Sequence, residues 1–135
     1  MTEYNYRISK QERLCLQNEI SLLFEKGRSL TSHPLRLRYI LIGSDTDTKS
    51  KVLFSVPKKL FKRAVKRNLI RRKIKEAYRL NRHPLMESIP QGKQLLIAFV
   101  YLDNSPQPYK VIEEAVKKSL TAIETAVKKQ NLRNE

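Results

Sequence analysis

The sequence predicts a single-domain α/β (α+β) sandwich in which a small sheet is covered by helices, and three features point to it. At 135 residues the chain is long enough for one hydrophobic core and too short for two. Apolar residues recur by turns at helical and strand spacing, in the order helix, strand, strand, basic helix, strand, helix. The third strand, LLIAFVYL at residues 95–102, is apolar throughout, the pattern of a strand covered on both faces and lying inside a sheet.

Ser9 and Glu12 have the spacing of a capping box, in which each side chain satisfies a backbone amide at a helix start, and Gly27 suits a helix end. Together they predict a first helix over residues 10–26. Leu16, Ile20, Leu23 and Phe24 recur on one face of it, with Cys15 as a small buried hydrophobe in the same pattern. Residues 35–42, LRLRYILI, alternate as a strand, with Arg36 and Arg38 on one face and Leu35, Leu37 and Tyr39 on the other. The polar turn SDTDTKS leads to KVLFSVP, where Val52, Phe54 and Val56 share a side, and the two strands are expected to pair as an antiparallel hairpin. After the basic segment, Gln91-Gly92 marks a turn before the third strand. NSPQP then introduces a closing helix over residues 109–129, with Tyr109, Ile112, Val116, Leu120, Ile123 and Val127 as its apolar stripe. Residues 1–8 and 130–135 are expected to fray.

The formal net charge is +15, which favours polyanionic partners. Most of it sits in residues 58–79, where eleven Lys and Arg face a single carboxylate, Glu76. Within this segment Ile70, Ile74, Ala77 and Tyr78 fall on one helical face, suited to packing on the sheet. Asn68, Arg71, Arg72, Lys75 and Arg79 align on the other side as a cationic ridge. A helix selected only for solubility would interleave acids for i,i+4 pairs, and this one does not. A row of Arg and Lys along a rod matches a phosphate backbone, whose neutralisation releases condensed counterions. A membrane-surface helix needs bulky apolar residues free for lipid, whereas Ile70 and Ile74 belong to the core, so no membrane partner is expected. One cysteine excludes an intrachain disulfide, and the N-terminus has no signal-peptide core, which reads as a cytoplasmic protein.

The run SVPKKLFKRAVKRNLIRRKIKEAYR resembles the signature of the bacterial ribonuclease P protein component. That signature is a strand ending in a basic pair, then Ala-Val, then Arg-Asn-Arg-x-Lys-Arg in a helix that continues to an acidic-Ala-aromatic stretch. The matching positions are Ser55, Val56, Lys58, Lys59, Ala64, Val65, Arg67, Asn68, Arg71, Arg72, Glu76, Ala77 and Tyr78. The flanking elements follow the family's order over nearly the whole chain. Leu69 stands where the motif has its third arginine, and the stretch between Lys59 and Ala64 is one residue longer than the pattern. The family's first helix offers two aromatics to a cleft for the substrate's leader; here Phe24 is aromatic and Ile20 holds the other position. Arg38, with Tyr39 beside it, stands where a strand aromatic is expected.

The resemblance implies a protein subunit that binds ribonuclease P RNA and the 5′ leader of precursor tRNA, one protein per RNA. It also implies that hydrolysis belongs to the RNA, which uses Mg²⁺, and that the protein itself holds no metal, no cofactor and no catalytic residue. The RNA-facing residues would be Lys58, Lys59, Arg63, Arg67, Asn68, Arg71, Arg72, Lys75 and Arg79, with Ile20, Phe24, Arg38 and Tyr39 at the leader cleft. A small basic ribosomal or RNA-chaperone protein without a role in cleavage is the alternative. A protein-only ribonuclease would have to use His33 and His83, but both precede Pro at element boundaries, with no carboxylate nearby in sequence to orient either ring. Asp45 and Asp47 are too few for a metal-ion nuclease, and three scattered glycines build no phosphate loop.

Overall fold

The computed structural model describes residues 8–133. Of the tails expected to fray, residues 1–7 and 134–135 lie outside the described residues; Ile8 is buried, and the closing helix continues to Arg133.

The capping box forms, with Glu12 accepting from the Ser9 amide and hydroxyl, each at 3.1 Å, but it opens only one 3-10 turn, Lys10–Glu12. The chain then extends alongside the sheet. Arg13 forms a parallel bridge with Val52, and the Leu14 amide donates to the Val52 carbonyl at 3.0 Å. That pairing takes these residues out of the expected helix, and α1 is Gln17–Lys26 rather than residues 10–26. It also corrects the reading of Cys15. In an extended segment neighbouring side chains face opposite ways, so Leu14 is buried and Cys15 is exposed. Leu16 is likewise exposed, and Leu23 is the helix's buried residue.

At Gly27 a Cβ would lie 2.2 Å from the Leu23 carbonyl oxygen, so glycine lets α1 turn directly into a strand, β1, Arg28–Ser32. With Leu30 as its one apolar residue, β1 carries almost no strand pattern. The other strands are β2, Leu35–Gly43, β3, Ser50–Ser55, and β4, Lys93–Tyr101. The basic helix α2 spans Ala64–Asn81, a short α3 spans His83–Ser88, and α4 spans Tyr109–Arg133. Pro84 in its first turn is what makes α3 read as punctuation in the sequence, although proline is well suited to a helix start.

The sheet order is β1-β2-β4-β3. β1 pairs antiparallel with β2, β2 antiparallel with β4, and β3 parallel with β4. The expected hairpin of β2 with β3 therefore does not form. β4 inserts between them, because a strand that is apolar on both faces loses most if left at an edge. The parallel β3–β4 pair requires a crossover, and α2 and α3 supply it.

Two apolar clusters hold the layers. On one face, Leu35 and Leu37 of β2 and Leu95, Ile97, Phe99 and Tyr101 of β4 pack against Ile70, Ile74, Ala77 and Tyr78 of α2 and the buried stripe of α4. Phe54 stacks on Phe99 at 5.7 Å, and Tyr78 meets both rings edge-on. Burial pushes the Tyr78 phenol up to about 12, against the opposing effect of its 3.1 Å hydrogen bond with the Ser50 hydroxyl. On the other face, Leu14 and Leu23 cover Leu96 and Ala98, with Ile20, Ile40, Ile42 and Leu53 around them.

Arg82, at the end of α2, is 4% exposed and forms an ion pair with Glu12, the same carboxylate that closes the capping box. Its guanidinium also lies 5.9 Å from the Tyr78 ring centre. One carboxylate thus ties the N-terminal turn to the far end of the basic helix. Replacing Glu12 by Ala is expected to destabilise the fold by about 3 kcal/mol, because a buried guanidinium loses a carboxylate partner. The loss would be read as a lower urea midpoint, and adding Arg82→Met should recover most of it.

Candidate nucleic-acid interface

The loop before α2 is pinned at both ends. Phe61 is buried beside Tyr101, at 6.0 Å between ring centres, and Arg67 reaches back from the helix to the carbonyls of Phe61 and Lys62 at 2.8 and 2.9 Å. Arg67 is therefore engaged in holding the loop that carries Lys58, Lys59 and Arg63, all three exposed. Arg63 is the N-cap of α2, with no side-chain cap bond and no acid in the first helical turn. The positive end of the helix dipole is consequently left uncompensated beside these cations, which suits a phosphate.

Ile70, Ile74, Ala77 and Tyr78 are each fully buried, so the face expected to pack does pack. Asn68, Arg71, Arg72, Lys75 and Arg79 lie on the side away from the sheet, as the helical spacing predicts. The ridge is not uniformly available. Arg79 donates to both Glu76 oxygens at 2.6 and 3.1 Å, which holds the Glu76 carboxyl below its usual range. Arg71 donates to the Asn68 side-chain oxygen at 2.7 Å, fixing its plane. Lys58, Lys59, Arg63, Arg72 and Lys75 have no hydrogen-bond or ion-pair partner among the described residues.

A groove of about 1090 Å³ runs over this helix, lined by Lys10, Arg13, Leu69, Arg72, Lys73, Lys75, Glu76, Arg79 and Tyr109 among others. Lys10 and Arg13 were not legible as site residues, because their charges balance the acids of the expected first helix. The bridge of Arg13 to Val52 brings that segment against α2. Tyr109 donates to Glu113 at 3.0 Å, and burial above all pushes its phenol up to about 12. Leu69, in place of a motif arginine, is half exposed on the rim.

The residues expected at a leader cleft divide between two faces. Phe24 and Arg38 meet directly. Arg38 donates to the Phe24 carbonyl at 2.8 Å, and its guanidinium carbon lies 5.7 Å from the ring centre. Ile20 belongs to the same side of the sheet. Tyr39 does not join them, because successive strand residues alternate, and it packs against the larger cluster on the opposite face. An exposed aromatic with an arginine plane beside it can take an unpaired base by stacking.

The two histidines do not form a pair. His33 sits by the far end of β4, 3.5 Å from Asp103, whereas His83 opens α3 in a hollow with Thr48, Lys49 and Ser50, by the start of β4. They are separated by most of that strand, about 20 Å at the rise of an extended chain. No cluster of three or more His, Cys, Asp or Glu residues able to hold a metal occurs among the described residues.

The sequence is similar to known proteins over nearly its whole length. A family model described as Ribonuclease P matches residues 8–124. The chain belongs to the ribonuclease P protein family. The ribonuclease P protein component of Porphyromonas gingivalis is 39% identical over 132 residues, 96% of each chain. A mutant Staphylococcus aureus RNase P protein with defective mRNA degradation activity has the same fold, with a TM-score of 0.65 at 18% identity over 85% of this chain and 90% of that one. The Thermotoga maritima RNase P protein in complex with 1-(4-fluorophenyl)-2-thiourea superposes at 0.61, with 21% identity, over 80% of this chain and 96% of that one. The ribonuclease P family consists of nucleoprotein components whose partner is ribonuclease P RNA, which agrees with a cationic ridge on a crossover helix. No helix among the described residues is long and apolar enough to cross a membrane.

Because Arg72 is exposed and Lys75 faces away from the core, the double variant Arg72→Ala with Lys75→Ala is expected to keep its stability within about 0.5 kcal/mol. Its RNA affinity should fall, and the slope of log K against log salt should be shallower by about 2, as for two lost phosphate contacts. Thermal melting and binding at several salt concentrations test both halves.

Proposed function

We propose that this protein is the RNA-binding subunit of a ribonuclease P holoenzyme that removes the 5′ leader of precursor tRNA. The observation that carries the reading is the cationic helix fixed by its apolar face, within a chain of this family. In this reading the unpartnered cations of α2 and its preceding loop contact ribonuclease P RNA. Phe24 and Arg38, with Ile20 beneath them, receive an unpaired part of the leader. The RNA subunit performs the Mg²⁺-dependent hydrolysis, and one protein joins each RNA.

Two RNAs repel each other, and a compact body with a dense cationic segment screens that repulsion. The protein thereby raises the affinity of the catalytic RNA for its substrate, and proximity supplies the gain in rate. Its own residues bind and orient; no proton transfer is assigned to them.

Precursor tRNA would be incubated at low Mg²⁺ with the protein, with a bacterial ribonuclease P RNA, and with both. The expected result is cleavage at the mature 5′ end in the combined reaction alone. Cleavage by protein alone, or no stimulation by it, overturns the proposal. Within the active complex, Phe24→Ala with Arg38→Ala is expected to weaken precursor binding about tenfold, as for one lost stacking contact, while binding of mature tRNA stays unchanged. Competition binding of the two tRNAs checks this.

A further inference from the structure

A second groove, of about 490 Å³, lies at the opposite edge of the sheet from β3, where β2 meets the C-terminal half of α4. Lys26, Arg28, Tyr39, Ile40, Leu41 and Lys129 line it, with small residues of α4 as its far wall. β1 begins at Arg28, opposite Tyr39, so residues 40–43 of β2 have no strand beside them on this edge. The groove runs across that uncovered edge. Ile40 looks to the side of the sheet shared by Ile20, Phe24 and Arg38, and Tyr39 and Leu41 look to the side covered by α4.

Its chemistry is that of a polyanion site. Lys26, Arg28 and Lys129 are exposed, none has an ion-pair partner among the described residues, and no carboxylate lines the groove. Its neighbour Lys128 pairs with Glu124 at 2.9 Å, whereas Lys129, on the groove side, has no acid partner among the described residues. Tyr39 is half buried against the core, and its hydroxyl has no hydrogen-bond partner among the described residues. Cations around an anchored ring, in a concave and narrow setting, suit an unpaired strand better than a duplex, which needs a convex ridge such as α2.

We propose that this groove holds the 5′-distal part of a single-stranded leader, continuing around the open β2 edge from the Phe24–Arg38 site. The inference rests on the proposed leader contact at that site. Tyr39 then stacks on a base, and Lys26, Arg28 and Lys129 neutralise successive phosphates. The residue that left the first cleft by strand alternation becomes the aromatic of the second.

The test compares precursors with a short leader, spanning only the Phe24–Arg38 site, and a long one, each bound to the holoenzyme. Lys26→Ala/Arg28→Ala/Lys129→Ala is expected to reduce affinity for the long leader about tenfold and its salt slope by about 2, the effect of three lost single-strand contacts. The short leader should bind unchanged. Tyr39→Leu should lower long-leader affinity about five- to tenfold, and Tyr39→Phe should retain it. A charge-matched control, Lys110→Ala/Lys117→Ala/Lys128→Ala on the solvent side of α4, should leave the long-leader preference intact. Equal affinity of the triple groove variant and the unaltered protein for the long leader, or equal losses for both leaders, overturns the inference. Loss of precursor binding in Phe24→Ala/Arg38→Ala alone retains the proposed function in either case. Failure of the unaltered holoenzyme to bind leader-bearing precursor overturns both.

Discussion

β4 sets the architecture. Leu95 through Phe99 are fully buried, so the strand needs neighbours on both edges and cover on both faces. Its neighbours are β2, antiparallel, and β3, parallel. Parallel pairing forces the chain out of the sheet after β3 and back through a crossover, and the sequence available for that crossover is the basic segment. A helix so placed must lay its apolar side on the sheet, and the cations, being on the other side, are turned outward as a consequence. The same burial demands α1 on the second face, where it places Phe24 beside Arg38.

The concentration of charge on α2 is tolerable only because other contacts hold the helix in place. Like charges spaced along a helix oppose its formation, and Glu76 offsets them for Arg79 alone. Four apolar side chains buried against the sheet, the reach of Arg67 to the preceding loop, and the Glu12–Arg82 pair at the far end fix the helix along its length. What remains on the outer side is cationic and largely without partners within the protein. An RNA backbone is the kind of polyanion that would supply the missing anions, which fits a chain of a ribonucleoprotein family.

In the proposed function the two faces of the sheet would divide the work of recognition. The rigid outer side of α2 presents charge at regular intervals and suits a structured RNA, whereas the Phe24–Arg38 pair offers one ring and one guanidinium plane and suits an unpaired base. The open edge of β2 connects the second of these sites to the α4 side. The shortness of β1 leaves that edge uncovered, and β1 is short because Gly27 ends α1 with no intervening loop.

The sequence by itself determined the sandwich class, the buried strand, the apolar stripes of α2 and α4 and the cationic ridge, since each is a local periodicity that survives any arrangement of the rest. It also carried the family signature, written in contiguous residues. The tertiary structure alone decided which strands are neighbours, because β4 competes for both edges and that competition cannot be read from β2 and β3 separately. It decided the start of α1 as well, where the backbone of Arg13 and Leu14 pairs with Val52 in place of continuing a helix, exposing Cys15. It brought Lys10 and Arg13 to the groove over α2. Periodicity specifies which residues share a face of an element, and only packing specifies which elements that face will meet.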